Sequence, residues 1–168
     1  MTTRRSAARK VGYQIFYRLP RRLRRRLVRL FVPSYIVGAV VLVWDPQGRL
    51  LLLRQPPGIG WTIPGGLLNR GEQPLDCAVR ELAEETGIKL SPDALRQAVP
   101  NAVIHTRGRW VDVVFEATVD PAQHNIQVDG AEVWETGWFA PDTLPQLTRP
   151  TARLLARYGL GPLAGKMG

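Results

Sequence analysis

The order of apolar and polar positions changes character several times along the chain. Residues 21–32 read RRLRRRLVRLFV, with Leu23, Leu27, Leu30 and Phe31 at helical spacing and arginines around the rest of the cylinder. That pattern predicts a short amphipathic helix, ended by Pro33. From Tyr35 to Trp44 the run YIVGAVVLVW is continuously apolar and rich in β-branched residues, as in a buried strand. Asp45-Pro46-Gln47-Gly48 supplies turn chemistry, and Arg49 to Arg54 reads as the second strand of a hairpin. A Pro/Gly-rich loop over 55–60 leads to a short strand, Trp61-Thr62-Ile63, that runs into Pro64-Gly65-Gly66.

Residues 74–86 carry the clearest helical pattern. Leu75, Val79, Leu82 and Ala83 form one apolar stripe with Ala78 beside it. Pro74 sits in the first turn, where a missing N–H costs little, and Gly87 supplies a stop. Residues 92–98 read as a short turn of helix. Strands are predicted over 99–106 and 110–119, joined by Arg107-Gly108-Arg109, then over 132–139, with a last helix over 148–158. Strands enclosing a helix, with another helix at the end, predict an α/β sandwich.

Charge divides the chain unevenly. It has 168 residues, 23 Lys+Arg, 14 Asp+Glu and a formal net charge of +9. Eleven of the bases and no acid lie before Ile36, so the remaining 12 bases face 14 acids, a net of −2. A slightly acidic domain over 35–160 therefore follows a basic arm over 1–34, and 161–168 read as a flexible tail. One cysteine, Cys77, excludes a disulfide framework and a multi-cysteine metal site. The ten-residue run at Tyr35 is too short to span a bilayer, and no secretory pattern follows the charges. The expected location is cytoplasmic, with a peripheral hold on a membrane through the arm. An organelle transit peptide shares the arm's composition.

The chemistry lies between Gly66 and Ile88, GLLNRGEQPLDCAVRELAEETGI. Glu81, Glu84 and Glu85 stand at i, i+3 and i+4, on one side of a helix. Three like charges so close need an offsetting charge, and oxygen donors suit Mg²⁺ or Mn²⁺. An isolated cluster of this kind is more often a solvated helix face. Here Gly66, Glu72, Arg80, Glu81, Leu82, Glu84, Glu85, Gly87 and Ile88 fill every defined position of a longer pattern, and the segment resembles the Nudix box. The lead-in Trp61–Gly65 and the later Trp138-Phe139 also resemble that family, so the likeness covers residues 35–158 and leaves out the arm.

The resemblance implies a Nudix-type α/β/α sandwich with a mixed sheet. It implies hydrolysis of a pyrophosphate bond in a nucleoside diphosphate linked to another group, with Mg²⁺ or Mn²⁺ as cofactor. Carried onto this chain, Glu81, Glu84 and Glu85 would hold the metal with the carbonyl of Gly65. Arg80 would orient a glutamate, and Glu72 and Gly66 would support the ligands from behind. The general base would be a box glutamate or Glu132, six residues before Trp138; Glu116 and Asp112, of one strand parity, rank below it. Substrate contacts are expected from Arg54, Arg107, Arg109 and Trp61, each of which also has an ordinary surface or packing explanation. Cys77 reads as a packing residue, and His105 and His124 receive no catalytic role.

Two further readings stay beside the small-nucleotide one: an RNA 5′-end pyrophosphohydrolase, and a binding-only domain tethered by its arm. Intact glutamates oppose the second. The arm is read first as docking its apolar stripe on the body or on a second subunit of a homodimer, and beside that as meeting an anionic membrane or nucleic-acid phosphates.

Overall fold

The β-branched run becomes the central strand β1 (Ile36–Trp44) in a computed structural model, which describes residues 10, 13, 14, 16–124, 126–128 and 130–166. Along one edge β1 pairs in parallel with β6 (Trp110–Thr118) from Ile36↔Trp110 to Trp44↔Thr118. Its other edge is shared. Trp44 meets Leu50 of the antiparallel β2 (Leu50–Arg54), and Gly38 to Val40 meet β4 (Gly65–Leu67). The β3 strand (Trp61–Thr62) and β7 (Glu135–Phe139) pair with β2, and β5 (Arg96–His105) pairs antiparallel with β6. One parallel pair among antiparallel ones makes the sheet mixed, as expected.

Helices cover both faces. The helix α2 (Pro74–Thr86) buries Cys77, Ala78 and Leu82 against Ala39, Val41, Val43, Phe115 and Ala117. On the other face α3 (Arg149–Ala156) buries Leu154 and Leu155 with Leu42, Leu50, Leu52 and Val114. The two sets of β1 side chains alternate, as the pleat requires. The expected α/β/α sandwich is therefore present. Helix α2 ends at Gly87, whose φ of 75° lets its N–H reach the Ala83 carbonyl at 2.9 Å. The Asp45 carboxylate closes the β1–β2 turn by accepting from the backbone N–H groups of Gln47 and Arg49.

Several predicted boundaries move. The turn predicted over 92–98 is a 3₁₀ turn over Pro92–Ala94, and β5 starts at Arg96 rather than at residue 99. Its pairing with β6 shifts register between Gln97 and Ala102, which passes Pro100 through the edge strand. β7 begins at Glu135 because its partner β2 ends at Arg54, so Glu132 stands in the preceding loop. The short β4 was not predicted. In the segment expected as a tail, the Ala164 N–H donates to the Gly161 carbonyl and the Lys166 N–H to the Leu163 carbonyl.

The described residues fall into two units, one up to Tyr35 and one from Ile36 onward. In the first, α1 (Arg21–Phe31) forms where the arginine–leucine pattern predicts it. None of its residues is buried, and Leu30 and Phe31 are well exposed. No helix among the described residues is long and apolar enough to cross a membrane.

Candidate active site

Helix α2 and strand β4 bring the box residues together. Leu75, Ala78, Leu82 and Glu85 follow one another at helical spacing, so the last position of the buried stripe is a carboxylate. Glu85 is only 7% exposed. Its oxygens accept from Gln55 Nε2 at 2.6 Å and from the Gly65 N–H at 2.8 Å. Burial pushes its carboxyl up to about 7, and the charges of Glu81 and Glu132 add to the rise against those two donors. The loop residue Glu132 is thus within electrostatic reach of Glu85, although 47 positions separate them in sequence.

Arg80 organises the exposed side of the cluster. Its Nε and Nη2 form a fork on the two oxygens of Glu72, at 2.8 and 2.9 Å. Its Nη1 donates to Glu81 at 2.8 Å and to Glu84 at 3.0 Å. The Arg80 hydrogen bonds hold Glu72 down at about 2, helped by the Asn69 N–H, so Glu72 is ionised at neutral pH. In return the guanidinium titrates far above its ordinary range. Glu72 therefore acts on Arg80, and Arg80 acts on Glu81 and Glu84.

The glycines of β4 are there for space. A Cβ on Gly66 would run into the Glu81 carboxylate, and one on Gly65, at φ 150°, would collide with the backbone of Ala39 and Val40. The Cys77 thiol is fully buried, and burial lifts it to about 11, which suits packing rather than nucleophilic attack.

Among the described residues no three His, Cys, Asp or Glu side chains converge closely enough to hold one ion as they stand. The hydrogen bonds give the reason: Arg80 takes oxygens of Glu81 and Glu84, while Glu85 turns to Gln55 and Gly65. The chemistry of the set nevertheless fits a hard divalent cation. It is carboxylate-rich and all-oxygen, one member is buried and repelled by two others, and Gly66 leaves room beside Glu81.

The outlying residues divide. Arg54 pairs with Glu135 at 3.4 Å on the surface, and Trp61 packs edge-on against Phe139 in the α3-side core, with ring centroids 4.8 Å apart. Arg107 lines a cavity of about 850 Å³, while Arg109 takes a positive φ of 55° in the same turn and lines neither this cavity nor the one beside Gly65 and Gly66. Asp112, ranked low from sequence, accepts from Trp110 Nε1 at 3.2 Å and sits 2.9 Å from His105 Nε2. Glu116 pairs with Arg96. Gln55 is the contact that no motif flags, since only the folded loop brings it to Glu85.

The model of the NUDIX domain matches residues 34–158, with the box and the sheet that carries it inside the match. The chain belongs to the Nudix family. This Nudix hydrolase is 31% identical over 114 residues to a MutT-like protein of Streptomyces ambofaciens, covering 68% of this chain and 70% of that one. It is 28% identical over 121 residues to a Bacillus subtilis protein provisionally named 8-oxo-dGTP diphosphatase, covering 71% and 76%. Among solved structures, the MutT NUDIX hydrolase of Burkholderia pseudomallei superposes with a TM-score of 0.60 at 29% identity, over 74% of this chain and 98% of that one. With these relatives and the intact box, this Nudix hydrolase is a pyrophosphohydrolase, of a family that works with divalent cations.

Proposed function

We propose that this hydrolase cleaves a pyrophosphate bond in a nucleoside diphosphate linked to another group, or in a nucleoside triphosphate, with Mg²⁺ or Mn²⁺ as cofactor. The observation that carries the reading is the buried carboxylate of Glu85, raised to about 7 among other carboxylates at the end of α2, beside Gly65 of β4. Arg80 pairs with Glu72, Glu81 and Glu84 but not with Glu85, and a buried carboxylate of this kind is costly to ionise unless a cation completes the site.

Glu81, Glu84 and Glu85 would hold the ion, with the Gly65 carbonyl assisting. When bound, it would offset charge on the phosphate oxygens and make a water more acidic. The chain's own residues do the rest. Arg80, fixed by Glu72, holds one oxygen each of Glu81 and Glu84, and their other oxygens would be left for the ion. Gln55 and the Gly65 N–H hold Glu85 in position. The water's proton would go to a box glutamate or to Glu132. Cytoplasmic location, with the arm resting on an anionic surface, belongs to the same proposal.

Replacing Glu84 or Glu85 by Gln keeps the size while removing the charge and one acceptor oxygen. Each change is expected to lower kcat/KM by roughly 10²–10⁴, the scale of losing one positioned acid–base group. Release of nucleotide and phosphate from a panel of nucleoside di- and triphosphate derivatives measures it. Full activity in both variants would remove these carboxylates from the mechanism.

A further inference from the structure

Four arginines of the body have carboxylate partners: Arg49 with Asp45, Arg54 with Glu135, Arg80 with the box glutamates, Arg96 with Glu116. Four other cations, Arg107, Arg153, Arg157 and Lys166, line a single cavity of about 850 Å³. Among the described residues no Asp or Glu lines it, and none of the four is in an ion pair. They come from three places in the chain: the β5–β6 turn, α3 with the residue after it, and the turn that closes the tail. Arg153 and Arg157, at i and i+4, repel one another. A solvated charge run would stay on one element and spread its charges; here separate elements aim theirs at one space.

The basin adjoins strand β4. Gly108 and Trp110 line it, and they also line a second cavity of about 270 Å³ whose other walls include Gly65 and Gly66. The shared wall is braced. The Trp110 ring stacks on His105 at 4.4 Å and 17°, and one oxygen of Asp112 holds both rings. A side chain at Gly108 would enter the indole. A substrate whose pyrophosphate lies at Gly65–Gly66 can therefore pass this fixed wall and reach the basin.

We propose that the basin binds a phosphate of the substrate other than those of the cleaved pyrophosphate. The substrate class is then a nucleotide pyrophosphate that carries a further phosphate outside the cleaved bond. This rests on the proposed pyrophosphohydrolase reading of the box. Arginine clusters suit such a group because their forked donors match phosphate oxygens. The phosphate has two chemical sources: a monoester on a small linked group, or the first phosphodiester of an RNA 5′ end.

Two matched pairs of probes separate them. NADPH differs from NADH by one monoester, and 5′-triphosphorylated GpA differs from GTP by a phosphodiester-linked nucleoside. With Mg²⁺, the wild type is expected to favour the phosphate-bearing member of one pair at least tenfold in kcat/KM. In Arg153→Gln/Arg157→Gln that advantage should shrink to less than threefold, through KM, while turnover of the other member and the melting temperature hold. The pair that responds identifies the source. A wild type without preference in either pair, or a preference that survives in the double variant, overturns the proposal. A titration of both proteins with inorganic phosphate, without divalent cation, stands apart from turnover: binding should weaken at least fivefold in the variant, and equal binding overturns the basin. Failure to hydrolyse any nucleotide would count against the hydrolase reading, and the phosphate titration would then decide the basin alone.

Discussion

Glu85 is where the physical cost of the site concentrates. Its unfolded carboxyl titrates near 4.5 and its folded one near 7. Between those values the folded chain keeps a proton that the unfolded chain has released. The stability tied to this group is therefore complete below about pH 4.5 and lost as pH rises to about 7, at most about 3 kcal/mol. Glu72 works in the opposite direction, losing its contribution as pH falls from 4.5 toward 2. Thermal melts of wild type and Glu85→Gln from pH 4.5 to 8, free of metal, should differ most steeply between pH 5 and 7. Added Mg²⁺ should flatten the wild-type loss, because an ion bound at the carboxylates offsets the charge that burial penalises. Parallel curves without Mg²⁺ would mean that Glu85 is not buried as a strained acid. The sequence carried a readable sign of this residue: a Glu at the place where an apolar stripe should continue. The strand pattern places Gln55 at the mouth of the site, but its bond to Glu85, 30 positions away, left no such sign.

At the scale of elements, α2 was legible from end to end because every signal for it is local: the stripe, Pro74 at the start, Gly87 at the stop. Strand β4 was not. Gly65 and Gly66 have little strand propensity, and their pairing with β1 exists because the missing side chains allow close approach. The two glycines predict different outcomes. A Cβ at Gly66 meets only the end of a flexible side chain, so Gly66→Ala should leave the melting temperature nearly unchanged while displacing Glu81 and lowering kcat/KM roughly 10–100-fold. A Cβ at Gly65 meets fixed backbone in a conformation that side chains disfavour, so Gly65→Ala should cost roughly 1–3 kcal/mol of stability. Calorimetry and steady-state kinetics on the two variants read the contrast directly. The boundaries of β5 and β7 were misjudged for a related reason: a register shift and the length of a partner strand are decided by pairing, which a single strand's pattern does not encode.

For the whole molecule, the net charge of +9 is the sum of unlike parts. The body's acids include the box cluster, and its unpaired cations include the four that line one basin. The arm is a separate matter. Helix α1 carries six arginines and no acid, with Leu30 and Phe31 exposed. Each base near an anionic bilayer contributes up to about 1 kcal/mol, an attraction that salt screens. The full chain is expected to co-sediment with phosphatidylserine vesicles at low salt and to release at high salt. A chain starting at residue 33 should stay in solution at both and keep its nucleotide turnover. Equal sedimentation of the two chains would free the arm from any lipid role.

The family match and the box together make hydrolysis of a nucleotide pyrophosphate the central claim. Its most direct test is phosphate and nucleotide release from a broad panel of nucleoside diphosphate derivatives and triphosphates, run with Mg²⁺, with Mn²⁺ and with chelator. The predicted result is turnover of at least one compound that depends on the added cation and disappears in Glu84→Gln. Absence of turnover across the panel with either cation, or turnover that persists in chelator, would contradict it.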